Sequence, residues 1–467
     1  MARPSYEQLL AENQGLRRRV TQLEEQVRQL TAQVRELTAH LQEALRATKR
    51  QAAPFSKGPP KANPKLPGRK AGADYGPKAH RPIPTKPPDE VIDVPLPDRC
   101  PHCGGPICEE RVAEQFQTEI PRQAFLRRFD LHIGHCRRCG RRIQPRHRLQ
   151  TSDALGAAAS QVGPDAQASM VHLNKRAGLS LGKVADWFTS MSGVPITPSG
   201  VCHVILRAAR RCEPVYQRIV DSMPQAPWVV PDETGWRIGG RLAWMHGFVT
   251  PTSTVYQVVQ GRGYEVAASI LGVQYSGTMI HDGWSPYDNF VFARHQQCLD
   301  HLLRRCKALL EVAVAAAACF PRQVRQLLHD ALDVRDRRDD GQLSPHGVAV
   351  SVGRLEGRLD RMLRWTRSHP DNERLAKHLA RHRDQLFTFL KVPGIDATNY
   401  RAEQAMRPPA VNRKVWGGNR TLVGAHAQSV LMTVLWTGRQ QLRDTFAMLA
   451  NILCGRRVCL ALLPAGP

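Results

Sequence analysis

The stretch PWVVPDETGW, residues 227–236, places an acidic pair directly after a short apolar run. Two further β-rich runs follow it, RLAWMHGFVT (241–250) and STVYQVVQ (253–260), with a Pro-Thr turn between them. A short helical pattern at 263–272 and another apolar strand, GTMIHDGW (277–284), complete the series. Three adjacent strands, a helix and a further strand predict an α/β core.

Three acidic residues stand at the ends of these predicted elements. Asp232 ends the first strand, Asp282 ends the fourth, and Glu403 lies in ATNYRAEQAMRPP (397–409), which opens another helical stretch. Hard divalent cations prefer carboxylate oxygens, and two Mg²⁺ ions roughly 4 Å apart activate the attacking oxygen and offset charge on a phosphodiester. The layout matches a ribonuclease-H-like core, so we predict that the three acids hold two Mg²⁺ (or Mn²⁺) ions.

Each acid taken singly also has a simpler interpretation. An Asp before Gly is often a turn residue, DET can cap a helix, and Glu403 can pair with Arg407 one helical turn later. Adjacent strand residues point to opposite faces, so only one of Asp232 and Glu233 is expected to face the metals. The acids that compete for the second position are Asp288 and Asp300.

Composition points to a polyanionic partner. The 467 residues are enough for several domains, and the 42% hydrophobic content fits a soluble globular protein. The net charge of +25 and the pI near 10.1 favour attraction to phosphate, most simply that of DNA. The alternative is a basic surface that is merely solvated.

Targeting signals and cysteine usage favour a reducing interior. The first residues enter a charged helical pattern with no secretory signal, and no apolar run approaches the roughly 20 residues that span a bilayer. Of the 12 Cys, four form two close pairs and most others are scattered, unlike a secreted disulfide framework. We expect a cytoplasmic, nucleoid-associated protein without a membrane partner.

Residues 1–46 carry a heptad repeat that predicts a coiled coil. Leu recurs every seventh residue at position d: Leu9, Leu16, Leu23, Leu30 and Leu37. Position a is mostly β-branched with a single Asn: Asn13, Val20, Val27, Val34 and Leu41. This pattern is typical of a parallel two-stranded coil with a fixed register, and it predicts a homodimer or a higher oligomer. The alternative is a long helix packed on its own protein.

Residues 47–98 are rich in Pro, Gly, Lys and Arg and poor in apolar side chains. Such a segment cannot bury enough surface to fold alone, so we expect an extended cationic linker. It either lies along the DNA backbone or acts as a plain tether.

Residues 99–145 contain two C-x-x-C pairs about 30 residues apart, each followed by Gly. Thiolates two residues apart on a tight turn can both reach one Zn²⁺, and four thiolates leave no open position for catalysis. We predict a zinc ribbon with a structural Zn²⁺; buried free thiols are the alternative. The predicted ligands are Cys100, Cys103, Cys136 and Cys139, with Cys108 as a spare and His102 and His135 as weaker candidates.

Residues 146–225 favour a helical hairpin. One helix is expected at about 179–191 and a second from Thr197 or Ser199, with a Gly-containing turn between them. The arrangement is similar to a helix-turn-helix, which indicates either DNA recognition or plain helical packing.

The remaining boundaries divide the catalytic core. Its first part spans 226–300, a helical insertion with a polar break at RDRRDDGQLSPHG spans 301–395, and C-terminal helices with the third acid span 396–467. The predicted fold class is multidomain α+β: an N-terminal coiled coil, a zinc ribbon, a helical hairpin domain and a ribonuclease-H-like α/β core with a helical insertion.

Four motifs carry a resemblance to a known family. They are DETGW (232–236), HDGWSPYDNF (281–290), a C-x-x-H-x-x-R-R signature (298–305) and ATNYRAEQAMRPPAVNRKVWGGNR (397–420). The chain resembles the transposases of the insertion sequence 66 family over nearly its whole length. The last motif departs from the usual family pattern, which has a second Asn before the acid region and an Ala-Glu-Arg core.

The resemblance implies a DDE recombinase whose triad is Asp232, Asp282 and Glu403. It implies that three residues of the C-x-x-H-x-x-R-R signature flank the site, where they contact phosphate or position the acids: His301, Arg304 and Arg305. It further implies DNA contacts from residues near the third acid: Asn399, Arg407, Arg413 and Lys414.

The implied reaction is hydrolysis of a phosphodiester at each element end, followed by attack of the exposed 3′-hydroxyl on target DNA. The implied partners are both kinds of DNA and small accessory proteins of the element. Two alternatives stay open: a nuclease with the same site but no strand transfer, and a dimeric zinc-ribbon DNA-binding protein or regulator whose acids are structural.

Overall fold

A computed structural model of the chain describes residues 6–49, 84–99, 101–106, 108, 111–117, 124–156, 161–312, 317–364 and 369–462. The chain forms two compact units, Met1–Thr118 and Glu119–Pro467. Residues 50–83 of the predicted linker lie outside the described residues, as does Cys100. No helix in the described ranges combines the length and apolar character needed to cross a membrane.

The first unit contains one long helix, α1 (Tyr6–Lys49), where the heptad repeat predicts it. The apolar side chains at positions a and d are between 52% and 67% exposed: Leu16, Val20, Leu23, Val27, Leu30, Val34 and Leu37. The predicted helix is therefore confirmed, and its apolar stripe faces solvent in the single chain. Self-association through this stripe stays a prediction.

The second unit begins with a small antiparallel ribbon, β1 (Gly134–His135) and β2 (Arg142–Ile143). Three helices follow it: α2 (Pro164–Lys175), α3 (Leu181–Ser192) and α4 (Pro198–Asp221).

The predicted helical hairpin is formed by α3 and α4. Ser180 Oγ accepts the Lys183 N–H at the start of α3, and α3 ends at Gly193 with φ +62°. Thr197 Oγ1 accepts the Gly200 N–H at the start of α4. These side-chain caps satisfy amide groups that the first helical turn leaves unbonded, which explains why each helix begins there.

A five-stranded sheet forms the centre of the second unit, in the order β5-β4-β3-β6-β7. The outer three strands on one side are antiparallel, whereas β3, β6 and β7 are parallel. The elements are β3 (Trp228–Ile238), β4 (Arg241–Val249), β5 (Thr254–Val259), α5 (Tyr264–Leu271), β6 (Thr278–His281) and β7 (Arg294–Gln297).

The predicted succession of three strands, a helix and a strand is confirmed, with two differences. The first strand does not end at Asp232, because β3 continues to Ile238 and turns into β4 through Gly239 and Gly240. Both glycines have positive φ, which a two-residue hairpin turn requires. The strand β7 was not predicted, since its sequence Arg-His-Gln-Gln is polar although Gln296 and Gln297 are buried.

The predicted helical insertion is present, and its polar break separates α7 from α8. The insertion contains α6 (Leu299–Val312), α7 (Cys319–Asp339), α8 (Pro345–Leu363), α9 (Pro370–Arg381) and α10 (Thr388–Lys391). The C-terminal helices are α11 (Tyr400–Trp416), α12 (Leu422–Gln440) and α13 (Thr445–Leu453).

Apolar cores lie on both faces of the sheet. On one face, Trp236 and Met245 pack with α11 and with the insertion helices. On the other face, Phe248 and Val255 pack with α2, α4, α12 and α13. Because successive strand residues point to opposite faces, this two-sided burial explains why the strands are apolar at nearly every position.

The edge strand β5 is closed by hydroxyl groups of α12. Backbone N–H groups of Thr254, Tyr256 and Val258 donate to Thr437, Thr433 and Ser429 at 3.1, 2.8 and 2.9 Å. Four helical residues rise about 6 Å and two strand residues about 6.8 Å, so every fourth helix residue meets every second strand amide. This ladder removes an exposed sheet edge that would otherwise pair with another chain.

Candidate active site

The first acid, Asp232, lies in the middle of β3 opposite Gly247 of β4. A Cβ atom at Gly247 would lie 2.5 Å from the Met406 sulfur of α11. The Met406 side chain of α11 therefore packs directly on the backbone of β4 beside Asp232. This packing brings the helix that carries Glu403 to the Asp232 side of β3.

The second acid, Asp282, directly follows β6 and is exposed. Its Oδ1 accepts the Trp284 N–H at 3.0 Å, and Gly283 between them has φ +90°. A glycine is required at this turn because the positive φ is strained for other residues. The prediction that this acid ends a buried strand is confirmed.

The third acid, Glu403, is in the first turn of α11, where the sequence predicts it. The start of α11 is fixed to the start of α6, since the Cys298 thiol donates to Asn399 Oδ1 at 3.1 Å and Leu299 N donates to Ala397 O at 3.0 Å. Asn399 is only 2% exposed. Its side chain therefore joins the two helices instead of meeting DNA in this conformation.

The charges of the three acids act on one another. Burial, the charge of the neighbouring Glu233 and, to a smaller extent, the charges of Asp282 and Glu403 together raise the pKa of Asp232 to about 7. Acids that are 50 and 171 positions away in sequence are thus close enough in space to disfavour the Asp232 carboxylate. Mutual repulsion of this kind is relieved when a cation binds.

Glu403 is hydrogen-bonded to Arg304 of the C-x-x-H-x-x-R-R signature, not to the other acids. Arg304 Nη2 donates to Glu403 Oε1 at 2.8 Å and lies 3.0 Å from Asp300 Oδ2. His301 Nε2 lies 3.9 Å from the same Glu403 oxygen. Within the described residues, no group of three or more His, Cys, Asp and Glu side chains converges closely enough to hold a metal ion.

The remaining sequence-predicted residues are spread around this centre. Arg413 Nη1 donates to Thr234 Oγ1 at 3.3 Å, two residues beyond Asp232. Arg305 is partly buried towards α9, where burial lowers its pKa and Arg374 and Asp371 are charged neighbours. Arg407 and Lys414 are exposed on α11.

The acids that competed for these positions have partners elsewhere. Asp288 Oδ2 accepts Arg381 Nη2 at 2.8 Å, and Asp300 pairs with Arg304 within α6. Glu233 is nearly buried, with its side chain 5% exposed, and it points away from the Asp232 face of the sheet.

The Glu233 carboxylate anchors a group of residues that the sequence reasoning missed. Arg262 donates to Glu233 Oε1 through Nε and Nη2 at 3.1 and 2.8 Å, and the Tyr287 hydroxyl donates to Oε2 at 2.9 Å. The Arg262 guanidinium carbon lies 4.3 Å from the Trp244 ring centroid and 3.6 Å from that of Trp284.

This brace joins the strand of Asp232 to the turn of Asp282, because Trp284 and Tyr287 belong to that turn. Charge-assisted hydrogen bonds and guanidinium stacking on indole rings both restrict the side chains involved. The only signal in the sequence was the acid next to Asp232, which strand alternation turns to the opposite face.

Buried polar residues also support the turn that carries Asp282. His281 Nε2 lies 3.0 Å from His295 Nδ1, and the Gly283 N–H donates to His281 Nδ1 at 3.2 Å. Burial lowers the pKa of His281 well below its ordinary value, and the charges of neighbouring histidines add to the effect. A neutral His281 therefore holds the turn.

The second C-x-x-C pair forms a tight knuckle in the second unit. Cys136 N donates to Arg141 O, Gly140 N donates to Cys136 O, both at 2.8 Å, and Gly140 has φ +66°. Hydrogen bonds from the backbone of Cys139 and Arg138 lower the pKa of the Cys136 thiol. Cys103 belongs to the first unit and Cys100 lies outside the described residues, so the four-thiolate site stays a prediction.

A family model described as Transposase IS66 family matches residues 159–427, which include all three acids. No curated protein matches the chain.

Proposed function

This chain belongs to the IS66 family of transposases, and we propose that it cuts DNA phosphodiesters at element ends and joins the freed 3′-hydroxyl to target DNA. The proposed ligands of two Mg²⁺ or Mn²⁺ ions are Asp232, Asp282 and Glu403. One relationship supports this proposal: Asp232 lies on the sheet face that the helix of Glu403 covers, and the charges of Asp282 and Glu403 contribute to its raised pKa. Three carboxylates that repel one another are the donor set that hard dications favour.

The protein's own residues would hold and orient the reacting groups. Bound divalent ions would activate the attacking oxygen and stabilise charge on the phosphate. Asp232 is positioned by its sheet, and the brace of Glu233, Arg262 and Tyr287 ties its strand to the Asp282 turn. The strand order β5-β4-β3-β6-β7 supports a ribonuclease-H-like core.

Arg304 has a double role in this proposal. It neutralises Glu403 in the resting chain through the 2.8 Å hydrogen bond. Glu403 would hold a metal ion through the same carboxylate, and Arg304 would then be free to contact the scissile phosphate, because a planar guanidinium can donate two parallel hydrogen bonds to phosphate oxygens. His301 lies beside both groups and would restrict where the released side chain moves.

The other parts of the chain would grip DNA and pair protomers. We propose that α3 and α4, the cationic linker and exposed basic residues of α11 contact DNA, and that Zn²⁺ folds the ribbon. The exposed stripe of α1 would pair two chains, which suits an enzyme that holds two element ends together. Accessory proteins of the element would join this assembly.

Cleavage and joining assays test the catalytic proposal. We expect Asp232→Asn, Asp282→Asn and Glu403→Gln each to abolish Mg²⁺-dependent cleavage while DNA binding persists. A joining assay on pre-cut ends distinguishes a transposase from a nuclease that lacks strand transfer. If the wild-type chain binds DNA but cuts with neither Mg²⁺ nor Mn²⁺, the acids are structural and the protein is a DNA-binding regulator.

A further inference from the structure

Two segments of the second unit contain no acidic residue. Residues 234–264 include neither Asp nor Glu, and the same is true of residues 404–443. The first segment follows Asp232 and Glu233 and carries Arg237 and Arg241, and the second follows Glu403. Basic residues in these segments therefore have no acid within their own segment to neutralise them.

The two segments meet at the β3–β4 hairpin turn. Gly239 N donates to Asn419 O and Asn419 N donates to Arg237 O, both at 2.9 Å. A Cβ atom at Gly418 would lie 2.5 Å from Arg237 O, and Gly418 has φ +125°. The loop between α11 and α12 can approach the hairpin this closely only because residue 418 is glycine.

Asn419 fixes this contact with its side chain as well. Its Oδ1 accepts Trp236 Nε1 at 2.8 Å, and its Nδ2 donates to Gly424 O at 3.0 Å. Every polar group of Asn419 is thus hydrogen-bonded, which holds the segment 418–423, the end of the loop and the first two residues of α12, against the hairpin. A segment held in this way presents its outward residues in one defined arrangement.

The residues presented at this junction combine exposed apolar and basic side chains. Leu242 is 62% exposed, and Leu422 and Val423 are each 66% exposed. Arg241 and Arg420 are exposed next to them in sequence. Large exposed apolar side chains beside exposed arginines, on segments fixed by hydrogen bonds, mark an interaction surface whose partner is negatively charged.

The junction lies at a measurable distance from the proposed catalytic centre. Ile238 lies six residue steps after Asp232 in β3. At about 3.3 Å per residue these steps span about 20 Å, which is about six base pairs of B-DNA at 3.4 Å each.

We propose that the hairpin turn 237–242 and the segment 418–423 together form a docking surface for duplex DNA, about six base pairs from the phosphate that is cut. Arg241 and Arg420 contact phosphates, and Leu422 and Val423 pack into the minor groove. Arginines beside an apolar wedge are the combination that minor-groove proteins use. The distance to the cut rests on the proposed function, but the surface itself does not.

The test compares two double variants with a charge-matched control. The probe is a fluorescent 40-bp duplex of mixed sequence, whose Kd is measured by polarisation over a series of salt concentrations. Arg241→Ala with Arg420→Ala should weaken binding about tenfold and lower the salt slope by about 1.8, because two phosphate contacts are lost. The control removes two exposed arginines of the insertion, Arg322→Ala with Arg361→Ala, and should change both quantities little.

The apolar residues are tested by Leu422→Ser with Val423→Ser. We expect weaker binding with an unchanged salt slope, because no ion contact is removed. Binding as tight as wild type in both double variants overturns the proposal, and so does an equal loss in the control.

A change of oligomeric state in the serine variant, at unchanged DNA affinity, overturns it in favour of a contact between two copies of the chain. Cleavage is measured separately. A wild-type chain that binds DNA without cutting it contradicts the catalytic proposal. The DNA docking surface is then judged by the binding measurements alone.

Discussion

Arg304 Nη2 lies 2.8 Å from Glu403 Oε1, so the third acid of the proposed triad is paired with a guanidinium. The two side chains belong to α6 and α11, which are joined at their first residues through Cys298 and Asn399. The charges of Glu233, Asp282 and Glu403 raise the pKa of Asp232. Because Glu403 is turned towards Arg304, no group of three side chains in the described residues is arranged around a metal position.

Replacing Arg304 should therefore tighten metal binding in the absence of DNA. The ion pair is about half exposed and contributes at most about 1 kcal/mol, so we expect Arg304→Gln to lower the Kd for Mn²⁺ by about two- to fivefold. Titration calorimetry without DNA measures this. Arg374→Gln removes the same charge from an exposed pair with Asp371 and is the control. Equal affinities in wild type and Arg304→Gln would show that the pair does not compete with the ion.

The stability of the metal-free chain should depend on the ionisation of Asp232. Its pKa is about 7 in the folded chain and 3.8 in the unfolded reference, so the folded state binds the extra proton between these values. The free energy of unfolding should then fall as pH rises from about 4 to 7. Asp232→Asn should flatten this part of the profile, measured by urea denaturation. A profile of identical slope in the variant would contradict the assignment.

Added metal should reverse this dependence. A dication stabilises the ionised acids, so Mg²⁺ should raise the free energy of unfolding more at pH 8 than at pH 5. Urea denaturation in Mg²⁺, with and without about a tenfold excess of EDTA, measures how much the metal adds to the free energy of unfolding at each pH. The triple variant of the three acids is the control, and any Mg²⁺ effect that persists in it comes from another site.

The brace behind Asp232 should contribute to stability. Glu233→Gln leaves the stacked Arg262 without its carboxylate, and a hydrogen bond to a charged group contributes about 1.5–3 kcal/mol. Tyr287→Phe removes one hydrogen bond at 2.9 Å and should cost about 1.5 kcal/mol. Urea denaturation gives both values. A double variant that loses the plain sum of the two would show that these residues act independently and do not form one brace.

The hydrogen bonds between the α12 hydroxyls and the β5 backbone should also contribute measurably to the free energy of unfolding. Thr433→Val keeps the shape of the side chain but leaves the buried Tyr256 N–H without its acceptor, which costs about 1–3 kcal/mol. Thr433→Ser retains the hydroxyl and is the matched control. The prediction fails if the two variants unfold at the same urea concentration.

The stripe of α1 should determine the oligomeric state without affecting the fold of the second unit. Leu23 is 52% exposed in the single chain, so Leu23→Lys removes no packing within it. In a coiled coil the charge would lie at a buried d position, and we expect dissociation to monomers in size-exclusion chromatography with light scattering. Gln22→Lys, one position outside the a and d stripe, is the control. A wild-type chain that is already monomeric would contradict the prediction.

The sequence predicted much of the local structure for identifiable reasons. The heptad Leu residues predicted α1, and Thr197 was one of two residues predicted to begin α4, which it caps. Apolar runs followed by Gly or Asp located three of the strands and the Asp282 turn. These signals are local, because capping, turn formation and side-chain periodicity depend on residues a few positions apart.

Polar sequences inside the fold could not be predicted in this way. The strand β7 has no apolar pattern because its buried Gln296 bonds to backbone groups of the insertion, with Oε1 accepting Phe389 N at 2.8 Å. The length of β3 beyond Asp232 depends on pairing with β4 and on the contact of its turn with Asn419. Such partners are distant in sequence and are visible only in three dimensions.

By itself the sequence determined which side chains are candidates for catalysis and metal binding: three acids at the ends or starts of predicted elements, within a strongly basic chain that also carries paired cysteines. The tertiary structure decided how they are used. It turned Asp232 towards α11 and Glu233 towards Arg262, and it paired Glu403 with Arg304. Strand alternation and helix packing set these directions, and both act between residues far apart in the chain.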